Sequence, residues 1–438
     1  MLNRSEGRMK KFLEFIKDTP TAYHAAYKFK VLLKQNHFIE LSENEPWTLV
    51  PGGKYFIGRN MSSLAAFVIP EDKPVSFNIT AAHLDSPTFK LKPNFTIEKG
   101  RYQKLNTEVY GGPIFSTWMD RPLGIAGRVI VRTEEGIKAS LVNLDEPLVF
   151  IPNLPIHYNR NANKGVELNP QVDMLPIIAD MAHGNTTLYE RIAQRLNVNA
   201  EDILSSDLYL TNLDRGCLAG IHQEFIMAPQ IDNLECAYGL IEALLQSTPK
   251  ASVNVCVLFD NEEIGSSTIQ GADGTLLADL LKRIGIAIHF TEEEAMRILA
   301  NSFMVSADNA QGFHPNYPGK YDETNPCYLN EGVVIKNAAR GSYSTDAMSS
   351  AYFQSICKRA KVKVQLNTNR SDILGGSTLG AISIRHISIP SVDIGLAQLA
   401  MHSSYETAGR YDLADLIAAI TEFYNNTLNH TKEEKILL

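Results

Sequence analysis

Residues 259–272 read FDNEEIGSSTIQGA and follow the apolar run ASVNVCVLF. Three acids, Asp260, Glu262 and Glu263, therefore stand where a core strand ends. Adjacent carboxylates repel one another and resist burial, so this position needs a compensating charge. The same chemistry closes four other apolar segments: SFNITAA leads to His83-Leu84-Asp85, IMAPQ to Asp232-Asn233, FMVSA to Asp308, and DIGLAQLAM to His402. Ligand sites in open α/β sheets lie beyond the carboxyl ends of strands. Two imidazoles and several carboxylates, from residue 83 to residue 402, would converge on one crevice. Histidine with carboxylate and no cysteine suits Zn, Mn or Co. Three carboxylates among five ligands favour two ions over one, because two cations about 3.5–4 Å apart share a bridging carboxylate and a water. Such a pair brings water toward neutral acidity, and an acid that stays off the ions can take its proton. One of Glu262 and Glu263 is then a ligand and the other the base. Taken singly, each residue has a plainer reading, Asp232 as a helix N-cap and Glu262-Glu263 as a solvated loop.

These residues need a scaffold of alternating strands and helices. From residue 228 the chain supplies one. DNLECAYGLIEALLQS reads as helix, ASVNVCVLFD as strand, GADGTLLADLLKRIGIAI and TEEEAMRILANS as helices, and FMVSAD as strand. STDAMSSAYFQSICKRAK, VKVQLN, GSTLGAISIRH and IPSVDIGLAQ continue the alternation. The pattern implies an α/β fold with a mostly parallel sheet flanked by helices. Residues 8–38 carry helical spacing broken at DTPTAY, where Asp18 or Thr19 would cap a second helix with Pro20 in its first turn. The strand-like KYFIGR, SLAAFVIP and VSFNITAAHLD follow. Residues 93–227 differ, with Gly pairs, many prolines, short strands and one helix, TTLYERIAQRLNV. At 438 residues the chain exceeds one ordinary core. The expected division is an inserted, β-rich domain at 93–227 between the flanking parts 1–92 and 228–438, which the family resemblance given below implies to be one catalytic domain.

Composition narrows the function. Hydrophobic residues are 44% and charged residues 21%, as in globular proteins generally. No apolar run approaches the roughly 20 residues of a membrane span, and the N-terminus shows no signal-type segment. Net charge is −8 without a strong basic block, which excludes nucleic acid and anionic membrane as expected partners. Five cysteines, at 217, 236, 256, 327 and 357, form no CxxC pair, which fits a reducing cytoplasm.

Ten stretches in order make a closer comparison possible: DTPTAYHA, TAAHLDSPTFKLKP, YGGPIFSTWMDRPLGIAGRV, IPNLPIHYNRNANKG, APQIDNLECAYG, FDNEEIGSSTIQGA, SADNAQGFHPNYPGKYDETN, GVVIKNAARGSYSTD, GGSTLGAISI and LAQLAMHSSYE. With them the chain, from about residue 10 to 410, resembles the M18 metallopeptidases, the aspartyl aminopeptidase family. The resemblance implies an aminopeptidase that hydrolyses the N-terminal residue, Asp or Glu, from peptides at two divalent ions, zinc before cobalt or manganese. It implies that His83 is a ligand of one ion with Asp85 orienting the site beneath it, and that Asp232 bridges both ions through a carboxylate followed by a cis peptide bond. Glu262 is then the general base, Glu263 a ligand, and Asp308 and His402 complete the shells. It further implies a homo-oligomer, a tetrahedral dodecamer assembled through the insert. In it His157 reaches a neighbouring subunit's active site, and Lys336 contacts the acidic side chain of the substrate. The segment IKNAARGSY departs from clearly Asp-selective members, which leaves a neutral-residue dimetal aminopeptidase as one alternative. An assembled shell without catalysis is another, against which the intact Glu262-Glu263 pair argues.

Overall fold

The structure, a computed structural model, describes residues 2–427, 429–430 and 436–437, with side chains described for 7–427. Four of its strands, Ser76–His83, Ser252–Phe259, Phe303–Ala307 and Ser391–Gly395, are buried at every position. Near-continuous apolar runs of this kind belong to sheets covered on both faces. They form the centre of a nine-stranded sheet with the order 39–40, 54–59, 63–68, 252–259, 76–83, 303–307, 391–395, 333–336, 364–367. The three pairings among the four central strands are parallel, whereas 63–68 is antiparallel to both of its neighbours, 54–59 and 252–259, and 333–336 is antiparallel to 391–395.

Alternate side chains of each strand enter opposite layers, as the period of two requires. Cys256 and Leu258 pack with helices Ile231–Gln246, Ala347–Ala360 and Asp412–Tyr424, while Val255 and Val257 pack with Leu276–Ala287 and Leu379–Ile387. Register then decides where the polar ends meet. Phe259 lies opposite His83 and Ser306 opposite Ala81, so the residues that follow these strands emerge at one edge.

A second, antiparallel sheet has the order 136–149, 123–133, 203–212, 88–99, 102–110, 177–180, with its own core around Phe89, Trp118, Ile125, Val129, Ile192 and Leu208. Its strands run from Thr88 to Asn212, so neither expected limit, 93 or 227, coincides with an end of the sheet. Pro93 lies inside the strand Thr88–Lys99, where the pairing with Tyr102–Tyr110 shifts register between Leu91 and Thr96. A strand proline marks such an irregularity rather than a boundary.

A third sheet, ordered 217–219, 225–228, 406–409, 397–399, 310–311, was not expected. It takes up Phe225–Ala228, which precedes Asp232, and Ala397–Leu399, which precedes His402. Two of the five site segments thus leave the main sheet. At the N-terminus the second helix is Ala22–Gln35 with Thr21 as its N-cap residue, so Pro20 precedes the cap instead of occupying the first turn. Among the described residues no helix is long and apolar enough to cross a membrane.

Candidate active site

His83 closes its strand and is 1% exposed. Its Nδ1 bonds the Asp85 carbonyl oxygen at 3.0 Å. A carbonyl only accepts, so Nδ1 carries a proton and Nε2 is the nitrogen that faces the crevice. Nε2 faces Asp308 Oδ1 at 3.5 Å and Asp232 Oδ1 at 3.7 Å. His402 repeats the arrangement: Nδ1 bonds the Gly112 carbonyl at 3.1 Å, and Nε2 faces Glu263 Oε2 at 3.4 Å and Asp232 Oδ2 at 3.5 Å. Metal-binding histidines are held in this way, by a second ring nitrogen donating to a fixed oxygen.

Asp232 thus turns one carboxylate oxygen to each histidine. Two half-sites result, His83 with Asp308 and His402 with Glu263, and Asp232 belongs to both. The N···O separations of 3.4–3.7 Å exceed good hydrogen bonds. They suit donors arranged around cations about 2.0–2.2 Å from each. Asp232 Oδ1 and Glu263 Oε1 are buried without a hydrogen-bond partner among the described residues. Donor atoms of His83, Asp232 and Glu263 all lie within 4.8 Å of one another. The residues fit divalent metal.

The electrostatics show the same demand for positive charge. Burial, then the charge of Asp232, pushes the Glu263 carboxyl well above its ordinary range. Burial also pushes Glu262 up to about 7, with Asp308, Asp85 and Asp232 adding to the effect and His83 opposing it. For His83, burial works downward and is outweighed by the carboxylates of Asp308 and Asp85 beside it, which hold the ring well above its usual value. Asp308 is driven the other way: burial raises it, but Lys336 and His83 beside it bring it below the ordinary carboxylate range.

Lys336 ends the strand Val333–Lys336 and is buried. Its Nζ donates to Asp308 Oδ2 at 3.1 Å and lies 5.5 Å from the centre of the Tyr343 ring. The metal-facing residues share one crevice. It is lined by Lys336, Tyr343, Asn367, Asn369 and Met401 besides the metal-facing residues and Glu262. His157 is not among them. It is exposed, between the exposed Ile156 and Tyr158.

Two further carboxylates support the metal-facing residues, Asp85, expected from the sequence, and Glu406, which was not. Asp85 reaches beyond His83: its Oδ1 accepts the Glu262 N–H and its Oδ2 the Glu263 N–H, both at 3.1 Å, and Oδ2 also accepts the Tyr110 hydroxyl at 2.8 Å. Glu406, fully buried, holds the main chain of two metal-facing residues, with Oε1 accepting the His402 N–H at 2.7 Å and Oε2 the Asp232 N–H at 3.0 Å. Burial, then Asp232, pushes its carboxyl to about 8. Its position four residues after His402, in MHSSYE, is the only hint of it in the sequence. Asp232 is no N-cap. It lies in a non-helical first turn of Ile231–Gln246, and its bond to Asn233 is cis, as the family resemblance implied.

The sequence profile of a family described as "Aminopeptidase I zinc metalloprotease (M18)" matches residues 15–424. A probable M18 family aminopeptidase 2 from Clostridium novyi is 46% identical over 422 residues, covering 94% of this chain and 97% of the relative. In the cryo-EM structure of the Ape4 and Nbr1 complex, a chain superposes with a TM-score of 0.93 at 32% identity, covering 97% of this chain and 86% of that one. A chain of the S. cerevisiae mApe1 dodecamer superposes with a TM-score of 0.84 at 27% identity, covering 96% and 97%.

Proposed function

The chain belongs to the M18 family of zinc aminopeptidases, and on that premise we propose that it removes an N-terminal Asp or Glu from peptides at two divalent ions, with Glu262 as general base. The observation that carries the two-ion reading is Asp232, one oxygen toward each histidine. His83, Asp308 and Asp232 would hold one ion, and His402, Glu263 and Asp232 the other. When bound, the ions, zinc before cobalt or manganese, supply Lewis acidity to the scissile carbonyl and to water and anchor the free α-amino group. The protein's own residues do the rest. Asp85 fixes the turn that aims Glu262 into the crevice, and Glu406 holds the main chain of Asp232 and His402. Glu262 takes the proton from the attacking water and passes it to the leaving amine.

Lys336 supplies the local positive charge that an acidic side chain needs in a crevice lined with carboxylates. Its bond to Asp308 gives it a second role, steadying that ligand. The test uses chelated protein reloaded with Zn²⁺ or Co²⁺ and a panel of Asp, Glu, Leu and Met chromogenic amides. Release is expected only from loaded protein and fastest for Asp or Glu. Lys336→Met should cut kcat/KM for the acidic substrates by tenfold to a hundredfold relative to the neutral ones, given about 1.5–3 kcal/mol for a charge-assisted contact. A wild type that prefers Leu, or a variant that loses all substrates alike, would remove the acidic-substrate assignment. No release at all would leave the non-catalytic shell.

Assembly is proposed through the region of the second sheet, as a homo-oligomer and by analogy with the mApe1 dodecamer. The loop after that sheet's longest strand supports this, because it exposes Phe150, Leu154, Ile156, Tyr158, Val166 and Val172. Scattered exposed apolar residues are ordinary, but this many in one loop mark a surface made for a partner. His157 lies among them. We propose that it enters a neighbour's crevice to steady the developing oxyanion. Mixing inactive His157→Ala and Glu262→Gln chains should then restore activity, since some sites receive a histidine and a base from different chains. Co-assembled mixtures without recovery would exclude the role in trans. Five unpaired cysteines, four of them buried, support a reducing compartment, the cytoplasm.

A further inference from the structure

The segment that follows strand Tyr102–Tyr110 leaves the second sheet and runs beside the half-site of Glu263 and His402. At its start, the Tyr110 hydroxyl donates to Asp85 Oδ2 at 2.8 Å and accepts from Asn261 Nδ2 at 2.8 Å. Both partners bear on the Glu262-Glu263 turn. Asp85 accepts the main-chain N–H groups of both glutamates. Asn261 opens the turn in the left-handed region at φ 62°, a conformation that asparagine tolerates and most residues do not. Its Oδ1 is held by Thr268 Oγ1 at 2.9 Å and Gln270 Nε2 at 2.8 Å, so its amide nitrogen has a fixed direction and finds Tyr110.

Two residues on, the same segment fixes the histidine that faces Glu263. The Gly112 carbonyl accepts from His402 Nδ1, and the Ile114 N–H donates to the His402 carbonyl at 3.0 Å. Close approach requires glycine at 111, which lies at φ 69° and where a Cβ would stand 3.0 Å from the Glu263 Cβ. The segment beyond Tyr110 therefore lies against Glu263 at Gly111 and against His402 at Gly112.

We infer that Tyr110 is a positioning residue for the metal centre, through which the second sheet sets the geometry of the Glu262-Glu263 turn. The inference rests on the metalloenzyme reading. Both hydrogen bonds from Tyr110 to this pair run through its hydroxyl, so removing it isolates their effect. Burial, with Asp85 and Asp260 nearby, keeps this hydroxyl protonated and hence a donor. Without it Asp85 keeps the two main-chain donors but loses the contact that ties it to the sheet, and Asn261 loses its anchor.

The experiment compares wild type, Tyr110→Phe and Tyr209→Phe. Tyr209 packs edge-on against Tyr110, with ring centres 5.5 Å apart, and serves as a control for the aromatic layer itself. Co²⁺ binding is measured by equilibrium dialysis with elemental analysis, alongside kcat, KM and thermal unfolding. Tyr110→Phe is expected to weaken Co²⁺ binding or lower kcat by about 10–100-fold, the usual effect of losing a partner outside the ligand shell. KM and the unfolding temperature should change little, and Tyr209→Phe should match wild type. Metal affinity and kcat both unchanged in Tyr110→Phe, or the same losses in Tyr209→Phe, would overturn the inference and leave the metalloenzyme reading standing. A wild type that binds no Co²⁺ would overturn that reading and the inference together.

Discussion

Asp232→Ala is expected to lose both ions and all measurable turnover while remaining folded. Each oxygen of this carboxylate faces a different histidine, at 3.7 Å for His83 and 3.5 Å for His402, so no other side chain can take its place between the half-sites. Two dications about 4 Å apart repel by about 4 kcal/mol even in the dielectric of water, four times the value for unit charges, and by more in a buried crevice. Removing the bridge takes away the negative charge that screens them. The main-chain contacts of residue 232 do not depend on the side chain: its N–H still reaches Glu406 and its carbonyl still accepts the Ser86 hydroxyl at 2.8 Å. The alanine variant should therefore keep its fold. Elemental analysis of the purified variant decides the matter, and two metals retained per chain would refute the bridging role.

Glu262→Gln is expected to separate metal binding from catalysis. Glu262 lines the crevice, and among the described residues its carboxylate makes no hydrogen bond, whereas its main-chain N–H is held by Asp85. Glutamine keeps the shape and the backbone contact and cannot take a proton. The five metal-facing residues are untouched, so metal content should equal that of wild type. Turnover should fall by at least about 10²-fold, the scale of general acid–base catalysis. Near-normal turnover with normal metal content would mean that another group moves the proton. Glu263 would then be the first to test, although its contact with His402 Nε2 at 3.4 Å commits it to the second half-site.

Much of this site is legible one residue at a time. His83, Asp232, Glu262, Glu263, Asp308 and His402 each follow an apolar run, and a polar group at the end of a buried strand is a local signal. The central strands are legible for the same reason, since burial on both faces forces apolar side chains at every position. Which glutamate faces the second histidine is not legible, because neighbouring residues of one type differ only in the direction that the turn gives them. Here that turn depends on Asn261 in a left-handed conformation and on Asp85 from another strand.

Pairing across the chain was decided by the tertiary structure alone. IMA and AQL read as strands, yet nothing in their composition says that Phe225–Ala228 pairs with Glu406–Gly409, or that this third sheet delivers Asp232 and His402 to the edge of the first. Strand register depends on partners far along the chain, and periodicity records only which face is buried. The groups that fix the two histidines are hidden for a simpler reason. The carbonyls of Asp85 and Gly112 are main-chain atoms, which every residue type possesses, so no choice of amino acid can announce them; only the folded path of the backbone places one beside each ring.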